Sequence, residues 1–184
     1  MASPSQEQEN EHEKDQTIAL STGAEIPFRT IRPEDAPALQ RALGRCSERT
    51  IYLRFFGSLE ELSDEKAQYF ASTDSVDHFG LVALEPEDPD EIIAVVRYDR
   101  NPGDERAEYA AIVEDRWQGH GVGVGLTRQL IDEARDNGVR YFYALVMGKN
   151  TRMLSVLRHL DLPEQERLED GVKCVEVKLT AEEP

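Results

Sequence analysis

Gln118-Gly119-His120-Gly121-Val122-Gly123 is the segment whose residue types and spacing bear most directly on chemistry. Backbone with few side chains, leading straight into a helix N-terminus, aims several N–H groups at one point. Unpaired donors and the helix dipole together stabilise negative charge there, so the segment predicts a phosphate-binding loop. The glycines at Gly119, Gly121, Gly123 and Gly125 miss the dinucleotide fingerprint G-x-G-x-x-G, because Val124 and Leu126 stand where its third glycine belongs. No G-x-x-x-x-G-K-[ST] occurs either. Two readings remain: the pattern Gln-x-x-Gly-x-Gly, from Gln118 through Gly121 to Gly123, or a glycine-rich turn that permits a tight strand-to-helix bend.

Elements of the right kind flank this loop. Ala107–Val113 reads as a strand of small and branched residues. After the glycines, Val122, Leu126, Leu130, Ile131 and Ala134 form a buried helical stripe, ended by Asn137-Gly138. Upstream, 18–20 and 26–31 read as short strands. Pro33 opens a helix with Leu39, Leu43 and Cys46 on one face; a second begins near Ser47, and Ser63 caps a third through about Phe70. His78–Leu84 and Ile92–Tyr98 form a hairpin across an acidic loop, 85–91. Arg140–Val146 is a strand, Asn150–Leu160 a helix, and 165–179 a hairpin turning at Asp170-Gly171. Helices and strands therefore interleave around one mixed sheet, an α/β (α+β) chain.

The 184 residues suit one domain with a real core. A polar, charged segment, 1–16, predicts a disordered acidic tail; 17–180 predicts the folded domain, and 181–184 a C-terminal tail. Without a long apolar run or an apolar N-terminal stretch, the chain is expected to be cytoplasmic, with no membrane partner. The net charge of −16 is concentrated in the N-terminal tail and the 85–91 loop. No basic surface is left for nucleic acid, and the acidic segments would steer a basic partner by long-range field. Cys46 and Cys174 lie far apart without zinc spacing, as reduced thiols or a disulfide pair, and the scattered His12, His78, His120 and His159 supply no ligand set, so no metal is expected.

The order of elements, together with Gln118–Gly123, resembles the GCN5-related N-acetyltransferase (GNAT) family across roughly 17–180. Arg32-Pro33-Glu34-Asp35, Tyr52-Leu53-Arg54-Phe55-Phe56-Gly57, Leu62-Ser63-Asp64-Glu65, Ala107-Glu108-Tyr109-Ala110 and Asn150-Thr151-Arg152-Met153-Leu154 are similar to the acetyltransferase domain of bacterial protein-lysine acetyltransferases. The resemblance implies a mostly antiparallel central sheet with two splayed strands, flanked by helices. It implies acetyl-CoA as co-substrate, with a protein lysine or a small amine as acceptor; a non-catalytic acyl-CoA-binding sensor is the rival reading.

By that resemblance Glu108 is the general base. A lysine amine with a pKa of about 10.4 costs roughly 4–5 kcal/mol to deprotonate at pH 7, so a positioned base is needed. Glu108 could instead be an exposed strand residue or a salt-bridge partner of Arg97 or Arg106. The backbone of Ile112 and Val113 is expected to pair with the pantetheine arm, the strand splaying from Arg140–Val146 beyond them. Gln118, Gly119, His120, Gly121, Val122, Gly123 and Val124 would form the pyrophosphate loop, with His120 exposed or adding a contact. Asn150 would bond the cofactor arm or cap its helix, and Lys149 and Arg152 would approach the 3′-phosphate. Many relatives place a thiolate-protonating tyrosine where this chain has Leu157, so a dedicated general acid is not implied, and Ser155 is no clear substitute. Asp115 is expected to shape its turn. Tyr52–Phe56 would face the acceptor or fill the core, and Arg54, a cation between large apolar residues, calls for a partner.

Overall fold

The computed structural model describes residues 16–180, so the expected tails 1–16 and 181–184 lie outside the described residues except for Gln16, which already belongs to the first strand. Strands β1 (Gln16–Ala19) and β2 (Glu25–Thr30) precede a 3-10 turn at Pro33–Asp35 and helices α1 (Ala36–Gly44), α2 (Glu48–Phe55) and α3 (Asp64–Ala71). Then come β3 (His78–Glu85), β4 (Asp88–Asp99), β5 (Arg106–Val113), α4 (Val122–Asp136), β6 (Tyr141–Met147), α5 (Thr151–Arg158), β7 (Glu164–Glu169) and β8 (Val172–Lys178). They build one 8-stranded sheet in the order β1-β2-β3-β4-β5-β6-β8-β7. Every neighbouring pair is antiparallel except β5 with β6.

Local chemistry sets the boundaries. Ser47 and Ser63 cap α2 and α3, accepting from the N–H groups of Thr50 and Lys66. Asp170 and Gly171 both take positive φ, as the tight β7–β8 turn requires. The 85–91 stretch is not the loop expected: β3 and β4 run on through it to a tight turn at Pro86-Glu87, with a bulge near Leu84. Its charges are also partly spent, because Glu85 pairs with Arg116 at 2.6 Å and Glu91 with Arg41 at 2.6 Å and with Arg45.

The main core lies between the sheet and α4 with α5, where Tyr98, Phe142, Leu126, Leu130 and Leu157 are fully buried. A second cluster, including Leu39, Leu62, Ala67 and Ile92, joins α1 and α3 to the other face. Helix α4 lies so close to β1 that a Cβ on Gly125 would come within 2.3 Å of Ile18 Cγ2, which fixes glycine there.

The β5–β6 pairing positions the site. It covers Arg106–Glu108 against Tyr141–Tyr143, after which the strands diverge. The splay thus opens earlier than expected, before Ile112 and Val113, and Tyr109–Val113 faces a gap instead of a neighbour. Glu108 stands at the fork, in register with Asp99 of β4 and Tyr143 of β6.

Candidate active site

The gap between β5 and β6 opens into a cleft of about 1130 Å³. One wall is β5, the floor is the glycine loop and the start of α4, and the far wall is α5; α2 closes one end. Ligand clefts run to several hundred Å³ and more, so this one is generous.

Along the loop, Gly119 and Gly121 adopt φ of 78° and 89°, conformations that turn successive N–H groups the same way. Helix α4 makes its first bond from Gly125 N–H to the Gly121 carbonyl. Among the described residues, the amides of Gly119, His120, Gly121, Val122, Gly123 and Val124 donate to no protein acceptor. Such a run of free donors at the N-terminus of a 15-residue helix is chemically matched to a diphosphate. Val122 contributes its amide alone, its side chain being fully buried, while the exposed His120 ring lies edge-on to Trp117 with centroids 6.5 Å apart.

Gln118 is different. Its N–H bonds the Asp115 carbonyl, its Nε2 donates to the Val113 carbonyl at 2.8 Å and to Thr50 Oγ1 at 3.1 Å, and its Oε1 accepts from Arg152. No donor is left over, so Gln118 is a strut joining β5, α2 and α5 at the edge of the cleft. Arg152 is thereby occupied as well, and Lys149 sits 4.7 Å above the Tyr52 ring.

The register also corrects Ile112. Glu114 N–H bonds the Ile93 carbonyl at 2.9 Å, so bonded pairs alternate from there along the antiparallel ladder. Ile112, Ala110 and Glu108 direct their backbone groups at β4; Tyr109, Ala111 and Val113 direct theirs at the gap. The Val113 carbonyl is taken by Gln118, which leaves its N–H and the groups of Ala111 for an incoming strand-like ligand.

Side chains alternate the opposite way. Tyr109 is buried beneath the sheet, its hydroxyl 2.7 Å from Thr127 Oγ1, which in turn donates to the Gly123 carbonyl at 2.6 Å. Burial pushes Tyr109 up to about 12, outweighing the Thr127 bond and nearby Arg54, so it stays a neutral phenol. Glu108 points to the exposed face and lines the cleft. Neither proposed salt-bridge partner holds it: Arg97 makes two bonds to Asp99, and Arg106 pairs with Glu176 at 2.6 Å. Among the described residues the Glu108 carboxylate has no hydrogen bond or ion pair.

Asn150 caps α5, its Oδ1 accepting from Met153 N–H at 3.1 Å, and it also borders the cleft. Leu157 is buried, so the family's tyrosine position is filled by core, whereas Ser155 and His159, 3.2 Å apart at the end of α5, are exposed and border the cleft. The Tyr52–Phe56 segment is not core. Tyr52 and Phe56 are 39% and 40% exposed, while Leu53, Arg54 and Phe55 border the cleft.

Sequence reasoning missed how α2 is held. Asp115 accepts from Ser47 N–H at 2.8 Å, Ser47 Oγ at 2.6 Å and Thr50 Oγ1 at 2.9 Å, fastening α2 to the end of β5. It also missed Trp117, whose buried Nε1 has no partner and whose ring lines the cleft; its place beside Gln118 was the available signal. No group of titratable side chains suited to a metal occurs among the described residues.

A family model described as an acetyltransferase (GNAT) domain matches residues 26–162. An acetyltransferase of Pseudomonas aeruginosa is 28% identical over 158 residues, covering 85% of either chain. Acetyltransferase Pat of Mycolicibacterium smegmatis is 30% identical over 148 residues, 78% of this chain but 43% of that protein, so the chain spans less than half of Pat. The solved GNAT domain of S. lividans PAT shares 31% identity with a TM-score of 0.82, over 89% of this chain and 96% of that domain.

Proposed function

We propose that this chain, which belongs to the GNAT acetyltransferase family, transfers the acetyl group of acetyl-CoA to a lysine side chain of a protein, with Glu108 as general base. That it is an N-acetyltransferase using acetyl-CoA follows from the family; the acceptor and the base are our reading. The observation that carries the reading is the fork. An unpaired carboxylate at Glu108 stands where β5 leaves β6, at the head of a cleft floored by the free amides of Gly119–Val124.

Acetyl-CoA supplies an activated thioester. The amides of the loop hold its diphosphate, and the free edge of β5 at Ala111 and Val113 aligns its amide-bearing arm. Glu108 then takes a proton from the acceptor ammonium, directly or through water, as nitrogen attacks the thioester carbonyl. Coenzyme A leaves as thiolate, and the second proton of the attacking nitrogen passes to that thiolate or to water. A protein acceptor suits the open α2 rim, where Tyr52 and Phe56 are exposed, better than a sealed small-molecule pocket would. No described helix is long and apolar enough to cross a membrane.

Glu108→Gln tests the base. Turnover should fall between about tenfold and ~10⁴-fold, the range of general base catalysis, with little change in acetyl-CoA affinity. Affinity is readable from the fluorescence of Trp117, the sole tryptophan, which lines the cleft. Undiminished turnover would rule Glu108 out.

A further inference from the structure

Arg54 borders two spaces at once: the cleft containing Glu108, and a narrow cavity of about 50 Å³ walled by Leu39, Leu62, Phe70 and Ile92. Among the described residues its guanidinium makes no hydrogen bond and no ion pair, and the Phe55 ring lies 4.9 Å from its carbon. Its neighbour Arg97 is the opposite case, with two bonds to Asp99, a third to the Phe70 carbonyl at 3.2 Å, and the rings of Tyr69 and Phe70 beside it. Arg54 keeps some exposure through the cleft mouth, but protein packs around its remaining sides. Desolvation and the like charge of Arg97 hold its pKa below the usual arginine value, although Glu108 and Asp99 pull the other way.

A stack on one ring returns less than a guanidinium loses on leaving water. The nearby carboxylates do not fill the deficit. Asp99 is already bound by Arg97 and by His78 at 2.8 Å, and Glu108 cannot be a permanent ion partner while it accepts the acceptor's proton. Arg54 and Glu108 therefore present an open cation and an open anion to the same cleft. A ligand satisfies both when it carries an amine and an acid group together.

We propose that Arg54 determines acceptor specificity by receiving a carboxylate carried next to the reactive amine. The proposal rests on the cleft being the acetyl-transfer site. The planar fork of arginine binds both oxygens of a carboxylate through parallel N–H···O bonds, a geometry that lysine does not reproduce. Such a carboxylate has two sources: an acidic side chain flanking a protein lysine, or the acid group of a small amino acid.

Initial rates of coenzyme A release by the full chain separate them. One arm compares lysine peptides differing only in Glu, Gln or Arg beside the lysine; the other compares 4-aminobutyrate with its amide. In at least one arm the anionic acceptor should have kcat/KM about tenfold or more above its neutral counterpart, and that arm identifies the source. Arg54→Gln should reduce this ratio to within about twofold, mainly through the anionic acceptor, with Arg54→Lys in between. A wild-type ratio within twofold in both arms, transfer to no anionic acceptor, or a ratio that survives Arg54→Gln overturns the proposal. If circular dichroism shows Arg54→Gln unfolded, the wild-type ratio and its decline in Arg54→Lys decide. Glu108→Gln run alongside keeps the two readings apart: its full activity removes the catalytic role of Glu108, whereas its slow turnover with a flat acceptor ratio removes only the role of Arg54.

Discussion

At the end of α1, Arg45 joins Glu91 to Glu114, Arg41 reinforces Glu91, and Arg116 connects Glu114 to Glu85. At the fork of β5 and β6, Arg54 and Glu108 share a cleft with no ion pair between them. The residue types are the same in both places; their commitments differ. In the first region each charge has a fixed partner, and the network fastens a helix and a hairpin to the sheet. In the second, the groups stay open at a cost in stability, which is what a site that must exchange ligands requires.

Breaking a committed pair should have the largest effect. Asp99→Ala removes both carboxylate bonds of Arg97, a residue only 7% exposed, and leaves its guanidinium without a counter-charge. Urea unfolding should show a loss of about 2–4 kcal/mol; a change under about 0.5 kcal/mol would mean that Asp99 is dispensable. Thr127→Val comes next. It strips the Tyr109 hydroxyl of its partner in a fully buried setting, for an expected loss of about 1–3 kcal/mol in the same measurement.

Removing an open charge should act with the opposite sign. Arg54→Met keeps the apolar contacts of the side chain and deletes an unpaired cation, so the protein should gain about 0.5–2 kcal/mol while losing its preference for anionic acceptors. Destabilisation of that size would instead place Arg54 among the structural charges.

The smallest effect is expected at Asp115. Burial favours its neutral form, but hydrogen bonds from Ser47 and Thr50 prevail and hold its carboxyl below the ordinary range. A depressed folded-state pKa gives stability that is complete above the unfolded value of about 3.9 and is lost as pH falls through the lower folded value. Asp115→Asn should therefore be less stable than the wild type near pH 6, with the gap closing below about pH 4. Thermal melts at both pH values check this, and a gap of constant size would contradict it.

Much of the fold was legible beforehand, since caps, turn residues and apolar periodicity are local. Ser47, Ser63, Asp170-Gly171 and the Val122–Ala134 stripe all mark elements that the structure contains. The acidic 85–91 stretch misled because composition argues for a loop, whereas pairing with a neighbouring strand extended β3 and β4 through it. At the site, residue types at Glu108 and Gly119–Gly123 were readable, but the direction of each backbone group was not.

The sequence by itself determined the order of elements and the glycine loop, because these depend on φ/ψ preferences and side-chain periodicity within a few residues. Only the tertiary structure decided that Gln118 is a strut, that Ile112 turns its backbone to β4, that Asp115 holds α2, and that Arg54 faces Glu108 without a partner. Those outcomes depend on strand register and on contacts between residues more than 60 positions apart, such as Ser47 with Asp115, which no local pattern encodes.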